Sequence, residues 1–169
     1  MAAIKQALDQ INSVINNPTE GLPEDVFLFA SAITPMVNVD LLIRNEQGQV
    51  LMTWREDKFC KAGWHIPGGI IRYKETAAER ISAVARLELG AQVVFDEKPL
   101  AINEIIVPGR RERGHFISLL FECSLKTPPN EDRCFCSGDP NQGQWAWFGA
   151  CPENIIVVHR RIYQPYFLA

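Results

Sequence analysis

The sequence has no long hydrophobic run and no excess of basic residues. Its 169 residues include 17 lysines and arginines against 20 aspartates and glutamates, a formal net charge of −3. A general nucleic-acid-binding protein usually carries a basic excess, so this balance argues against that class. No apolar stretch approaches the roughly 20 residues that span a bilayer, and the start, MAAIKQALDQ, lacks a secretory apolar core. We therefore expect a cytoplasmic protein with neither a membrane nor a nucleic-acid partner.

The cysteines do not form a recognisable framework. There are five, an odd and scattered set that does not suit the disulfide pattern of a secreted protein. Cys134 and Cys136 have no second pair at zinc-ligand spacing, so we expect reduced thiols. A hydrophobic content of 47% and a charged content of 22% are ordinary for a globular chain of this size.

Hydrophobic periodicity divides the chain into two parts. Residues 1–17 carry an apolar stripe at helical spacing, which predicts an amphipathic helix that ends at Asn16-Asn17-Pro18. This stripe must cover either the core of the same chain or a second subunit. We expect residues 18–169 to form one domain.

The remaining segments predict a mixed sheet between helices. Residues 19–25 read as a polar turn, the runs MVNVDLLIRN and VLMTWRE as a β-hairpin, and residues 57–63 as a loop. Four further strands are predicted at AQVVFD, AINEIIV, HFISLLFECSL and WAWFG, a loop at residues 127–143, and a last helix after CPENIIVV. One central helix among the strands indicates an α/β class with a mixed α+β sheet.

The central helix follows a glycine turn in residues 64–91, WHIPGGIIRYKETAAERISAVARLELGA. Thr76 and Glu79 have the spacing of a capping box, which marks the start of the helix. Gly90 suits the left-handed position just after its end. Few carboxylates lie on this helix, which limits the number of metal ions that it could hold.

The segment 69–91 resembles the Nudix box. Its consensus is G, five residues, E, seven residues and R-E-U-x-E-E-x-G-U, where U is bulky and aliphatic, and Gly69, Glu75, Glu88 and Gly90 fall at this spacing. In that family the loop and the helix hold a divalent metal against a substrate diphosphate. The resemblance implies an α/β/α sandwich, here with an extra N-terminal helix, and Mg²⁺ as the cofactor, with Mn²⁺ as the alternative.

The reduced carboxylate content of this box resembles the GDP-mannose mannosyl hydrolase branch. Ala83, Val84 and Leu87 stand where the consensus has Arg, Glu and Glu, so Glu88 alone remains of the three carboxylates that gather metal. The run NVDLLIRNEQGQVLMTWRE and Trp64 before the Pro-Gly-Gly turn extend this likeness. Those enzymes hydrolyse GDP-hexose to GDP and hexose at the sugar C1–O bond, and they are dimeric. The resemblance therefore implies a nucleoside diphosphate sugar as substrate and a homodimer.

The resemblance also implies roles for individual residues. Glu88 and the carbonyl of Gly69 would hold the metal, aided by Gln142 as a glutamine of the 141–144 loop. Arg55 would neutralise the leaving diphosphate, and Asp40 would lie near the substrate. The branch has a histidine base in its late loop, whereas this loop offers Asn141, Gln142 and Gln144.

Other site residues are suggested by their chemistry alone. Arg111 and Arg113, with Arg110, form either a charged loop tip or a phosphate-binding group. Trp64 could stack on a nucleobase or belong to the core. His115 is our first candidate for the general base, with His65 as the second, because an imidazole titrates near neutrality. His159, among arginines, reads as a surface residue.

Three functions stay open at this stage. The first is Mg²⁺-dependent hydrolysis of a nucleoside diphosphate sugar at carbon. The second is attack at phosphorus, as in ordinary Nudix pyrophosphatases. The third is a weakly active nucleotide-binding module.

Overall fold

The computed structural model describes residues 2–167. The strands are β1 (Met36–Ile43), β2 (Val50–Asp57), β3 (Cys60–His65), β4 (Gly68–Ile70), β5 (Val93–Phe95), β6 (Ala101–Ile106), β7 (His115–Leu125) and β8 (Trp145–Phe148). The helices are α1 (Ala2–Val14), α2 (Glu24–Ser31), α3 (Ala77–Val84), which a π-helical turn (Ala85–Leu89) continues, and α4 (Val157–Tyr163). Within residues 2–167, none of the helices combines the length and apolar character that a membrane crossing needs.

The strands form two sheets. In the first, β1 pairs in parallel with β7 and antiparallel with β4, while β5 and β6 both pair antiparallel with β7. In the second, β2 lies between β3 and β8, and both pairings are antiparallel. The parallel pairing of β1 with β7 confirms the predicted mixed sheet.

The two strands predicted to form a hairpin belong to different sheets. The turn between them does form, because the amide of Asn45 donates to the carbonyl of Gln49 at 3.1 Å. Beyond an isolated bridge between Arg44 and Val50, the strands diverge. Five consecutive residues at the end of β1 and five at the start of β2 are buried. Each strand therefore needs packing on both faces, which one hairpin does not supply.

A hydrophobic core lies on each side of the sheets. On one side four residues of the central helix, Ile81, Val84, Ala85 and Leu89, pack against β1 and β7. On the other side Tyr163 of α4 packs with residues that include Leu42, Met52 and Trp64. Helices thus cover both faces, as in the predicted sandwich.

The ends of the central helix follow the predicted signals. Thr76 and Glu79 form the capping box, in which the Glu79 amide donates to the Thr76 hydroxyl at 3.2 Å. Gly90 adopts φ 66°, the left-handed conformation expected after the last turn. The last turn is π-helical rather than α-helical, a detail that the pattern of apolar residues does not specify.

The N-terminal region departs from the prediction at two points. Helix α1 ends at Val14, and Ile4 and Leu8 on its apolar stripe are exposed. Helix α2 was not predicted, and it overlaps the predicted turn at residues 19–25 only at Glu24 and Asp25. Its sequence signal is Pro23 followed by the acidic pair Glu24-Asp25, which suits a helix N-terminus. Further along, β3 begins at Cys60, so the predicted loop at 57–63 is a tight turn that joins β2 to β3.

Candidate active site

A cleft of about 450 Å³ lies at the junction of the two sheets, a volume typical of small-molecule sites. Its lining comes from β1, β2, β3 and β4, the β6–β7 loop, the turn before β8 and the segment that begins α4. Six of the predicted site residues line it: Asp40, Arg55, Gly69, Glu88, Arg113 and Gln142. Three others, His115, Arg111 and Trp64, do not.

Glu88 projects from the π-helical turn into the cleft. The Thr53 hydroxyl donates to its Oε2 at 2.8 Å, and the amide of Gly68 donates to its Oε1 at 3.2 Å. Its side chain is 26% exposed, so the carboxylate remains open to a ligand. Burial raises the pKa of Glu88 to about 7, although the hydrogen bonds from Thr53 and Gly68 act in the opposite direction.

His65 extends this hydrogen-bonded chain into the protein. Its Nδ1 lies 2.8 Å from the carbonyl of Ile66 and therefore carries a proton, since a carbonyl only accepts. Its Nε2 lies 3.0 Å from the Thr53 hydroxyl. Burial lowers the pKa of His65 well below its usual value. When Glu88 is protonated, the Thr53 hydroxyl can instead donate its hydrogen bond to Nε2 of a neutral His65. One hydroxyl therefore links the two side chains.

Steric constraints require glycine at both Gly68 and Gly69 of the Pro-Gly-Gly turn. A Cβ placed on Gly68 would lie 2.2 Å from Oδ1 of Asp40 and 2.9 Å from the carbonyl oxygen of Val39. A Cβ on Gly69 would lie 2.8 Å from Cγ2 of Val84. The turn therefore packs tightly between β1 and the central helix, and the backbone of Gly69 reaches the cleft beside Glu88.

The donor set suits one hard cation at most. Within residues 2–167, no three histidine, cysteine, aspartate or glutamate side chains gather closely enough to hold a metal ion. The carboxylate of Asp40 already accepts from the hydroxyls of Ser118 and Tyr163. The oxygen donors that the family resemblance assigns to Mg²⁺ are Glu88, the Gly69 carbonyl and Gln142, and Mg²⁺ usually keeps several water ligands besides.

Arginines form the cationic wall of the cleft. The Arg55 Nη2 lies 2.5 Å from the Asp57 carboxylate, and Arg110 donates to the carbonyl of Phe59 at 2.5 Å. The guanidinium of Arg113 stacks on the Phe59 ring, 4.4 Å from its centroid. Burial lowers the pKa of Arg113, and nearby Arg55 lowers it further. Such a wall provides positive charge for an anionic substrate.

Gln142 lies beside this wall. Its Oε1 accepts a hydrogen bond from the amide of Glu56 at 2.5 Å. A carbonyl oxygen has two lone pairs, so one remains for a further donor or for a cation. The interaction explains how the turn before β8 is held against β2.

The three predicted residues outside the cleft have other environments. His115 pairs with Glu104 at 3.2 Å across β6 and β7, with 36% of its side chain exposed, so it is removed from the candidate bases. Arg111 is exposed at the tip of its loop. Trp64 is 2% exposed and packs edge-on against Trp54 and two phenylalanines, so no ring face is free for a nucleobase. Trp54 reaches the cleft instead.

His159, interpreted as a surface residue from the sequence, lines the cleft. Its ring centroid lies 5.6 Å from that of His65 and 5.2 Å from that of Tyr163. The sequence does contain a signal for this position. His159 precedes the aromatic Tyr163 by four residues, so the two side chains lie on the same face of the last helix.

Glu75 stabilises the turn instead of contributing a ligand to the cleft. Its Oε2 accepts from the Arg72 amide at 2.8 Å and from Nε of the buried Arg80 at 2.8 Å. Arg80 therefore provides the cationic partner for Glu75, since the consensus arginine position is Ala83.

The sequence is similar to that of a known domain family and of a characterised protein. The model of the NUDIX domain matches residues 34–150, more than half of the chain. The "Low-salt glycan biosynthesis protein Agl8" of Haloferax volcanii is 37% identical over 121 residues, which cover 69% of this chain and 76% of that protein.

Solved structures support the fold. The MutT NUDIX hydrolase from Burkholderia pseudomallei superimposes with a TM-score of 0.58 at 16% identity, over 76% of this chain and 95% of that one. The NUDIX hydrolase from Nitrosomonas europaea does so with a TM-score of 0.54 at 17% identity, over 68% and 72% of the two chains. These similarities confirm the predicted mixed α+β architecture.

Proposed function

This chain belongs to the NUDIX family, and we propose that it is a Mg²⁺-dependent hydrolase of a nucleoside diphosphate sugar. The products would be a nucleoside diphosphate and the free sugar, as in the GDP-mannose mannosyl hydrolases, and GDP-hexoses are the first substrates to test. Residues 18–169 would form the hydrolase domain, and a homodimer remains the expected assembly.

The observation that carries this proposal is the single box carboxylate in a cleft with an arginine wall. Glu88 faces the cleft, whereas Val84 at another carboxylate position of the box is packed into the core. Attack at phosphorus in this family generally involves several carboxylate-bound ions. A leaving diphosphate needs only charge neutralisation, which one ion and nearby arginines can supply.

The described residues suggest a division of roles. Glu88 and the carbonyl of Gly69 would hold Mg²⁺, with Gln142 as a further oxygen donor. When bound, this ion supplies positive charge to the diphosphate. Arg55, supported by Arg113 on the same wall, would bind the diphosphate oxygens. Asp40, fixed by two hydroxyls, would lie near the bound substrate.

The chemistry suggested by a relative agrees with a sugar substrate. The protein from Haloferax volcanii is named for glycan biosynthesis, and nucleotide sugars are the donors of glycan chemistry. Its similarity extends over 121 residues and 69% of this chain. This supports a sugar nucleotide over a nucleoside triphosphate or a dinucleoside polyphosphate.

The experiment is product analysis in ¹⁸O-labelled water. Purified protein would be incubated with GDP-mannose and with GDP-glucose in the presence of Mg²⁺, and the products separated by ion-exchange chromatography. We expect GDP and free sugar, with the label in the sugar. Glu88→Gln should abolish turnover, whereas Glu79→Gln on the same helix is the matched control, because glutamine also serves in a capping box.

Other results would redirect the proposal. GMP and sugar phosphate, with the label in a phosphate, would indicate attack at phosphorus. Tight binding of GDP without any turnover would indicate a nucleotide-binding module.

A further inference from the structure

We propose that His159, on the C-terminal helix, is the general base that activates water for this hydrolysis. The inference rests on the proposed function and assigns the residue that it lacks, because residues 141–144 contain no histidine. Helix α4 lies beyond residues 34–150, the segment that the NUDIX domain model matches. A part of the chain outside the matched domain would thus complete the active site.

The position of the imidazole supports this role. His159 lines the same cleft as Glu88 and Arg55. Its Nδ1 is buried and has no hydrogen-bond partner among residues 2–167. The buried position of Nδ1 leaves Nε2 as the nitrogen that can reach a water molecule in the cleft. General-base action uses the tautomer in which Nδ1 carries the ring proton and Nε2 presents its lone pair.

The other two histidines are unsuitable. His65 is 7% exposed, its Nδ1 donates to the carbonyl of Ile66, and its Nε2 lies against the Thr53 hydroxyl at 3.0 Å. His115 lies outside the cleft and pairs with Glu104. His159 is therefore the histidine that combines access to the cleft with an uncommitted ring.

A buried anchor sets the position of His159. Tyr163 follows it by one helical turn and is fully buried, and its hydroxyl donates to the carboxylate of Asp40 on β1. Ser118 on β7 lies 2.8 Å from the same hydroxyl and also donates to Asp40. These contacts fix α4 to the central strands, so the imidazole one turn earlier is held over the cleft.

The surroundings of His159 favour its neutral form. Burial is the largest influence and lowers its pKa; Arg55 lowers it further, whereas Asp40 opposes both. The facing groups are His65 on β3, Tyr163 on α4 and these two charged residues. A neutral imidazole is the form that accepts a proton.

The step balances without an additional reactant. A water proton passes to Nε2 of His159 as the water oxygen forms a bond to C1 of the sugar. The bond from C1 to the diphosphate oxygen breaks, and its electron pair leaves with the nucleoside diphosphate. The proton on the imidazole is returned to solvent after the products depart.

The test separates kcat from binding in three variants. We expect His159→Gln and His159→Ala to lower kcat for GDP-mannose by about 100-fold or more, the usual contribution of a general base. KM and the affinity for GDP with Mg²⁺, measured by calorimetry, should stay within a few-fold. Imidazole added to His159→Ala should restore part of the lost kcat. His115→Gln, outside the cleft, is the matched control and should keep wild-type kinetics.

The outcomes distinguish this inference from the proposed function. If the wild-type protein forms no GDP and free sugar, both fail. If it does, and His159→Ala loses less than about 100-fold in kcat or loses its affinity for GDP, only the assignment of the base is overturned.

Discussion

Replacing Glu88 with glutamine should stabilise the metal-free protein at neutral pH, although this side chain lies in the cleft. Burial raises the pKa of Glu88 from 4.5 to about 7. The folded protein therefore holds this proton more tightly than the unfolded chain does. The contribution of Glu88 to the free energy of unfolding is complete below pH 4.5 and is lost as the pH rises to about 7.

The size of the effect follows from this difference in pKa. Each pKa unit corresponds to about 1.4 kcal/mol, so the carboxylate costs the folded protein about 3 kcal/mol at and above neutral pH. Glutamine does not titrate, and its replacement energy is the same at every pH. The variant should thus gain about 3 kcal/mol over the wild-type protein between about pH 5 and about pH 8.

Denaturant unfolding in EDTA measures this gain directly. In thermal unfolding, a gain of about 3 kcal/mol in a chain of this length corresponds to a rise of roughly 6–12 °C in melting temperature. Mg²⁺ should reverse the gain, because a ligand that binds only the folded wild-type protein stabilises it by mass action. Glu79→Gln is the matched control: hydrogen bonds to Thr76 lower the pKa of Glu79, so its stability contribution is lost as the pH falls.

The prediction has a clear refutation. If the stability difference between Glu88→Gln and the wild-type protein does not change with pH, burial does not raise the pKa of the Glu88 carboxyl group. A gain that persists unchanged in saturating Mg²⁺ would contradict the assignment of Glu88 as a metal ligand.

Two further substitutions test the packing beneath the cleft. Gly68→Ala would press a methyl group against the Asp40 carboxylate, so we expect a loss of about 1–3 kcal/mol in denaturant unfolding; Gly149→Ala, where a Cβ meets nothing within 4 Å, should change little. Arg80→Met leaves the carboxylate of Glu75 without its buried partner and should cost about 3 kcal/mol. An equal response of the two glycine variants, or an unchanged Arg80→Met, would contradict these assignments.

Local signals predicted the parts of the fold that depend on near neighbours. The capping box at Thr76 and the left-handed Gly90 both form as expected. The run HFISLLFECSL coincides with the whole of β7, because an almost unbroken apolar segment has few alternatives to a buried strand. Glu88 and Gly69, two positions of the box, both line one cleft.

The remaining features depend on contacts between distant segments. Whether β2 pairs with β1 or with β8 is decided by the demand for packing on both faces of each strand, which the turn between them does not reveal. The placement of His159 depends on the hydrogen bond from the Tyr163 hydroxyl to the Asp40 carboxylate, and these residues are 123 positions apart in the sequence. A helix of seven residues among arginines gives no local sign of the strand that it will cover.

The two carboxylate positions that this box lacks are not equivalent. Val84 is 3% exposed in the core and lies close enough to the glycine turn to exclude any side chain on Gly69. A glutamate there would bury a charge without a partner, which is strongly unfavourable. Leu87 is 60% exposed and lines the cleft, so a glutamate could be accommodated at that position. Of the two positions, only 87 could therefore present a second carboxylate beside Glu88 at the cleft.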